Sequence, residues 1–343
     1  MRRPFIWIGG AILAAAICFA GLVIWSNLPV RTDRTTPDPG LLYLNNRSPE
    51  APPLEEAYFE HKGQSLHYVE AGDGEVVLFL HGFPSYWYSF ARQIDDMRAD
   101  YRVIAIDGLA AGRSDAPFET EPYKLEAMSE HIHALLDDLA VEKAHLVGHD
   151  WGAALVFGFA QRYPERVATV TGISSPPQNI LLQLMETNPR QQETSAYVER
   201  FKRANPILLL ALRIPQRIWK EPYSRHVERG LLSEEEGNLF RDALASPKRI
   251  HAHINWYRAN IPPYEDITEQ DYWPGKNASI DVPALLIWGK SDNLFEPEFI
   301  DLMLASSANL EVVQFDDVGH WPHLAQAKTV TTKIREMIVG PYK

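Results

Sequence analysis

Residues 144–161 constrain the fold more than any other stretch of the chain. An apolar run over 144–147 passes through Gly148-His149-Asp150-Trp151-Gly152 into an Ala/Phe-rich segment over 153–161. A strand that becomes a helix within so few residues must turn sharply. Two glycines at this spacing relieve the crowding and lift the central side chain to the top of a sheet. Strand, turn and helix in that order belong to a parallel sheet covered by helices. A serine at the centre would make acyl-enzymes from esters. The aspartate found here attacks alkyl carbon instead and becomes an ester itself. The residue therefore points to opening of a strained or activated C–X bond.

The rest of the pattern extends that unit. Residues 67–69 read as a short strand ending at Gly72-Asp73-Gly74, and 76–80 as a continuous apolar strand running into His81-Gly82-Phe83-Pro84. Strands follow at 101–106, 144–147 and 167–173, with amphipathic helices at 125–139 and 151–163. Strands alternating with helices predict a mostly parallel sheet with right-handed crossovers. From 178 to 275 the rhythm breaks: no clean strand occurs, and the segment is rich in Arg, Gln, Leu and aromatics, with Pro189, Pro206, Pro215 and Pro222. Strands resume at 282–288 and 310–315, with helices at 298–305 and 328–338. The expected organisation is an α/β core in two parts, 57–177 and 276–343, interrupted by a helical cap over 178–275.

Ahead of the core, Met1-Arg2-Arg3 precedes an uncharged run from Phe5 to Trp25. As a helix that run would cover about 30 Å, one hydrocarbon thickness. Residues 1–26 are therefore expected to form a transmembrane anchor, with the short basic end inside and the catalytic body on the non-cytoplasmic side. Arg31 and Arg34 weigh against that orientation. Signal cleavage and secretion are the alternative, with Cys18-Phe19-Ala20 as the candidate cleavage site. Residues 27–56, rich in Pro, Thr, Asn and Arg, read as a linker.

Composition narrows the function. A net charge of -12 offers no basic stripe to nucleic acid. The single cysteine, Cys18, permits neither an intramolecular disulfide nor a thiolate zinc site. His251-x-His253 lacks an obvious third ligand, so no metal and no cofactor are expected.

Four motifs in order carry a resemblance to the α/β-hydrolase superfamily and, within it, to the epoxide hydrolases: His81-Gly82-Phe83-Pro84, Gly148-His149-Asp150-Trp151-Gly152, Gly289-Lys290-Ser291-Asp292 and Gly319-His320-Trp321. The resemblance covers residues 57–340. It implies an α/β-hydrolase fold that turns an epoxide and water into a vicinal diol. It also assigns the nucleophile, acid and histidine, in the family's chain order, to Asp150, Asp292 and His320. Asp150 would open the epoxide and form an alkyl-enzyme ester. His320, oriented by Asp292, would activate the water that cleaves it. Glu296 is a weaker substitute for Asp292, and His149 and His323 are read as packing or loop residues. The N–H groups of Phe83 and Trp151 would form the oxyanion hole.

The family protonates the departing alkoxide with two cap tyrosines. Asn255-Trp256-Tyr257-Arg258 resembles the stretch carrying one, and Ser195-Ala196-Tyr197 the stretch carrying the other. His81, Pro84, Trp256 and Trp321 are expected to line an apolar pocket for a small lipophilic epoxide, reached from the bilayer through residues 5–25. Two alternatives remain: a haloalkane or haloacid dehalogenase on the same scaffold, and a non-catalytic membrane-tethered binding protein.

Overall fold

A computed structural model of the 343-residue chain describes residues 16–18, 20–25, 30 and 34–340, save the side chains of 215, 216, 219 and 221. Its centre is an eight-stranded sheet: β1 (Glu55–His61), β2 (Gln64–Ala71), β3 (Val76–Leu80), β4 (Arg102–Ile106), β5 (Ala144–His149), β6 (Val167–Ile173), β7 (Ala284–Gly289) and β8 (Leu310–Phe315). The order across the sheet is β1-β2-β4-β3-β5-β6-β7-β8. From β4 to β8 every neighbouring pair is parallel, whereas β1–β2 and β2–β4 are antiparallel. β3, β5 and β7 are buried along their whole length, so both faces of the sheet are covered. That is why their sequences are continuous apolar runs rather than alternations. The helix Trp151–Arg162 packs on β5 and β6, and Leu125–Asp138 packs on that helix; Ala91–Met97 and Ala327–Val339 pack on each other.

Between β6 and β7 the described chain contains no strand. Short helices follow one another, among them Gln178–Thr187, Pro189–Ser195, Tyr197–Lys202, Pro206–Ala211, Glu234–Ala243, Pro247–His253 and Asn255–Asn260. Prolines set their starts: Pro189, Pro206 and Pro247 open helices whose Asn188, Asn205 and Ser246 side chains accept from first-turn N–H groups. Asn260 ties this helical layer to the core. Its side chain accepts from Leu125 N at 2.9 Å and donates to Tyr123 O at 2.8 Å.

Three expectations need correction. Among the described residues no helix is long and apolar enough to cross a membrane. The reading as a single-pass membrane protein entered through residues 5–25 is therefore not supported; residues 1–15 and 19 of the expected 1–26 anchor lie outside the described residues. The expected linker over 27–56 is also partly structured. Pro39–Arg47 is a helix capped by Asp38, with Leu41 and Leu44 buried against the core. Buried Arg98 holds its far end, donating to Asn45 Oδ1 and to Pro52 O, each at 3.0 Å. Finally, residues 55–71 form a hairpin, of which only 67–69 stood out in the sequence, because β1 at the sheet edge carries a mixed, half-exposed pattern.

Candidate active site

The turn after β5 puts Asp150 at the N-cap of the helix Trp151–Arg162 with φ 54 and ψ −122. A non-glycine residue in that region is strained by about 1–3 kcal/mol. The strain is held because the turn is closely packed: a Cβ on Gly152 would lie 2.0 Å from Leu80 O, and one on Gly148 2.2 Å from Gly152 O. The two glycines thus let β5, its own helix and the end of β3 meet under Asp150.

The loop after β3 brings its donor to the same point. Phe83 N–H donates to Asp150 Oδ1 at 2.8 Å. The Trp151 N–H, first of the helix, also favours the charged carboxylate. On the other side His320 Nε2 lies 3.3 Å from Asp150 Oδ2. His320 follows β8 and Asp292 follows β7, and their loops meet where His320 Nδ1–H donates to Asp292 Oδ2 at 2.7 Å. The Asp292 side chain is fully buried, and its Oδ1 accepts from Leu294 N at 3.0 Å. One carboxylate therefore fixes the imidazole through Nδ1, leaving Nε2 to face Asp150.

The electrostatics follow from burial and from two carboxylates flanking one imidazole. Burial alone would push the Asp150 carboxyl up, but the His320 charge 3.3 Å away, with the Trp151 N–H, brings it below the ordinary carboxylate value. Burial would lower His320, and the charges of Asp292 and Asp150, with the Asp292 hydrogen bond, raise it instead, to about 10. Both directions favour imidazolium beside carboxylate.

Tyr197 and Tyr257 stand opposite. Tyr257 is buried on the helix Asn255–Asn260, its ring edge-on to Trp151 at 5.1 Å, Phe83 at 5.4 Å and Phe201 at 5.6 Å. Tyr197 opens the helix Tyr197–Lys202, 6.2 Å from the Tyr257 ring. Burial, with the Asp150 charge among the further causes, lifts both phenols above the usual tyrosine value, so both stay protonated. Phe83, Pro84, Asp150, Tyr197, Tyr257, Asp292, His320 and Trp321 all line one cavity of about 1150 Å³. Its wall also includes apolar Phe201, Ile214, Ile218 and Leu231, and its rim both Asp316–Asp317 and Arg217, Arg225 and Arg229.

Two expected pocket residues lie behind that wall. His81 is fully buried with both nitrogens engaged: Nδ1–H donates to Gly82 O at 2.8 Å, and Nε2 accepts from Gly108 N at 3.0 Å. It shapes the Phe83 loop and does not line the cavity. Trp256 is fully buried too. Its indole N–H donates to Leu109 O at 3.0 Å, which fastens the Tyr257 helix to the core. Helical geometry explains the difference, since adjacent positions such as 256 and 257 face different directions.

His149 does more than pack. Its Nε2–H donates to His320 O at 2.8 Å, and its ring lies 4.5 Å from Trp321 and 4.3 Å from His323. Burial, with the His320 charge, depresses it to about 3, so it is a neutral donor holding the His320 backbone. The motif spacing places His149 beside the nucleophile, but nothing in it names a carbonyl 171 residues away as partner. His323 is also buried and neutral, and does not reach Asp150. Glu296 bonds Gln191 through its backbone and plays no part beside His320.

Comparison with known proteins agrees with this arrangement. The family model described as alpha/beta hydrolase fold matches residues 75–327. "Epoxide hydrolase 3" of Xenopus tropicalis is 30% identical over 288 residues, covering 80% of this chain and 75% of that protein. An epoxide hydrolase of Caballeronia sordidicola is 32% identical over 302 residues, covering 80% and 90%. Among solved structures, an inhibitor-bound epoxide hydrolase of Bacillus megaterium aligns with a TM-score of 0.74 at 26% identity, over 83% of this chain and 100% of that one. An epoxide hydrolase of Vigna radiata gives a TM-score of 0.70 at 26% identity, over 83% and 97%. With its sheet order, its elbow and these relatives together, the chain belongs to the α/β-hydrolase fold family and, within it, to the epoxide hydrolases.

Proposed function

We propose that the protein hydrolyses epoxides to vicinal diols through an ester on Asp150. The observation that carries this is the division of labour across one carboxylate. Oδ1 is held by the Phe83 N–H at 2.8 Å, while Oδ2 is turned toward His320 in a cavity bearing two protonated phenols. In the first step Oδ2 bonds to an epoxide carbon and the C–O bond of the ring breaks. The ring oxygen leaves as alkoxide and takes a proton from Tyr197 or Tyr257. Asp150 thereby loses its charge, and with it one of the two carboxylates that keep His320 protonated. His320 can then give up its proton through solvent in the cavity, which restores the phenol. As neutral base its Nε2 takes a proton from water, whose oxygen adds to Cγ of Asp150. The Phe83 and Trp151 N–H groups stabilise the oxyanion that grows on Oδ1. Collapse breaks the Cγ–Oδ2 bond; the departing alkoxide takes the proton of the added hydroxyl, which releases the diol and leaves the Asp150 carboxylate beside protonated His320.

In this reading the helices over 178–275 act as a cap that carries both phenols and closes the cavity over the core parts 57–177 and 276–343. The wall of Phe83, Phe201, Ile214, Ile218 and Leu231 suits a lipophilic epoxide. No cofactor or metal enters any step. The mechanism has an isotopic signature. After a single turnover in heavy-oxygen water, mass spectrometry should find the label in the Asp150 peptide and not in the diol. Label in the diol alone would mean direct attack by water. Halide release from haloalkanes, without diol from any epoxide, would move the reading to a dehalogenase.

A further inference from the structure

Tyr223 reaches from the helical layer to both loops that flank Asp150. It lies on a π-helical turn, Lys220–Ser224, a rare geometry that recurs at functional sites. Its side chain is fully buried and does not line the cavity. The hydroxyl donates to Pro84 O at 2.8 Å, across 139 residues of sequence. The ring lies parallel to Phe240, centroids 3.9 Å apart and planes 10° from each other, and it tilts against Trp321 at 5.3 Å. Phe240 is itself fully buried on the helix Glu234–Ala243. Pro84 follows Phe83, whose N–H holds Asp150 Oδ1, and Trp321 follows His320. A single side chain therefore touches the oxyanion loop and the histidine loop together. Its proton is committed to a backbone carbonyl, so it is not available to the substrate.

We propose that Tyr223 is a positioning residue. From the cap it fixes the aim of the Phe83 N–H, and it thereby governs ester hydrolysis rather than ester formation. This rests on the reading of Asp150 as nucleophile. The selectivity follows from what the donor sees along the reaction. Before attack it bonds a charged carboxylate, in the ester a neutral carbonyl, and in the hydrolytic transition state a growing oxyanion. A donor accelerates only the step in which its bond strengthens. Here that is the second step; in the first, the same bond stabilises the reactant. A side chain that merely filled the core would not separate the two.

The test is rapid-quench kinetics of Tyr223→Phe on an aryl epoxide, with mass spectrometry following the alkylated Asp150 peptide. The phenyl ring keeps the stack on Phe240. Removing an oxyanion donor outright costs about 10²–10³-fold, so a donor left in place but poorly aimed should slow ester hydrolysis roughly 10-fold. Ester formation should stay within about twofold, and the ester should accumulate at steady state. Phe240→Leu keeps the hydroxyl but loosens its anchor, and should slow the same step by less. It also carries the test if Tyr223→Phe does not fold. Hydrolysis at the wild-type rate in the folded variants, or both steps slowed in proportion, overturns the assignment of Tyr223. Wild-type protein that forms no ester on Asp150 overturns the nucleophile reading itself, which separates the two failures.

Discussion

Asp150 and His320 are each tuned by the other, and in the proposed mechanism that coupling would set the order of events. Asp150 must be charged to attack, and His320 must be neutral to serve as base. With the carboxylate 3.3 Å from the imidazole, the raised His320 pKa disfavours the neutral base while Asp150 keeps its charge. In the proposed mechanism, alkylation would resolve the conflict by erasing the Asp150 charge at the moment a base is needed. The variant Asp150→Asn imitates that neutral state. Its His320 should titrate about one to two units lower than in wild type, followed by NMR of the imidazole nitrogens. An unchanged titration would show that Asp292 alone sustains the shift, and the proposed timing would fail. His149 grips the His320 carbonyl and Asp292 grips Nδ1, which fixes the ring with Nε2 3.3 Å from Asp150 Oδ2.

At the scale of elements, the two candidate phenols depend on how two short helices are clamped. Arg258, on the helix Asn255–Asn260, donates through Nε to Lys202 O at 2.9 Å and through Nη2 to Ala204 O at 2.7 Å. Its Nη1 donates to His251 O at 2.9 Å and Asn255 Oδ1 at 2.6 Å. The guanidinium thus closes the C-terminal end of Tyr197–Lys202 against the helix that bears Tyr257. Arg258→Met removes all four bonds and leaves three carbonyls without that donor. Thermal denaturation should show a loss on the order of 2–4 kcal/mol. Turnover should fall more than KM changes, because Tyr197 loses its alignment with Tyr257. Lys offers no planar fork and should not rescue either property. Wild-type stability in Arg258→Met would mean that other contacts hold the two helices together. The Asn255-Trp256-Tyr257-Arg258 motif is therefore read residue by residue as cap brace, core anchor, phenol and clamp.

Across the whole molecule, a buried charge network links the sheet edge to the Phe83 loop. His67 on β2, fully buried, bonds Asp107 Oδ2 at 2.7 Å through Nδ1 and lies 3.3 Å from Glu56 Oε2 through Nε2. Asp107, at the end of β4, accepts from Trp87 N and Arg113 N, each at 2.9 Å. Gly108 beside it donates to His81, which supports the Phe83 loop. Burial alone would lower His67, but Asp107, Glu56 and Asp38 raise it to about 9. A folded pKa above the unfolded value of about 6.5 gives stability that is complete below that value. It is lost as pH rises through about 9. His320 has the same sign, so the two are separated by difference. Wild type minus His67→Gln should lose on the order of 2 kcal/mol in thermal melts between pH 7 and 10. A difference independent of pH would mean that the network holds a neutral His67.

Much of the candidate site is local in sequence and is legible there. Asp150 lies between two glycines, His320 just past an apolar strand and Tyr257 in a specific tetrapeptide. Strand and helix periods follow from nearest neighbours, so β3, β5, β6, β7 and β8 and the helices beside them stand out along the chain. What depends on contacts between distant segments was decided only by folding. The indole of Trp256 turns away from the cavity because the helix that presents Tyr257 directs its neighbour into the core. His149 finds the His320 carbonyl, Tyr223 finds Pro84, and Pro39–Arg47 is held by Arg98, although none of these pairs shares a motif or a period. A linear pattern records which way a side chain leaves its own backbone. It does not record which polar group, brought from another element, will be waiting there.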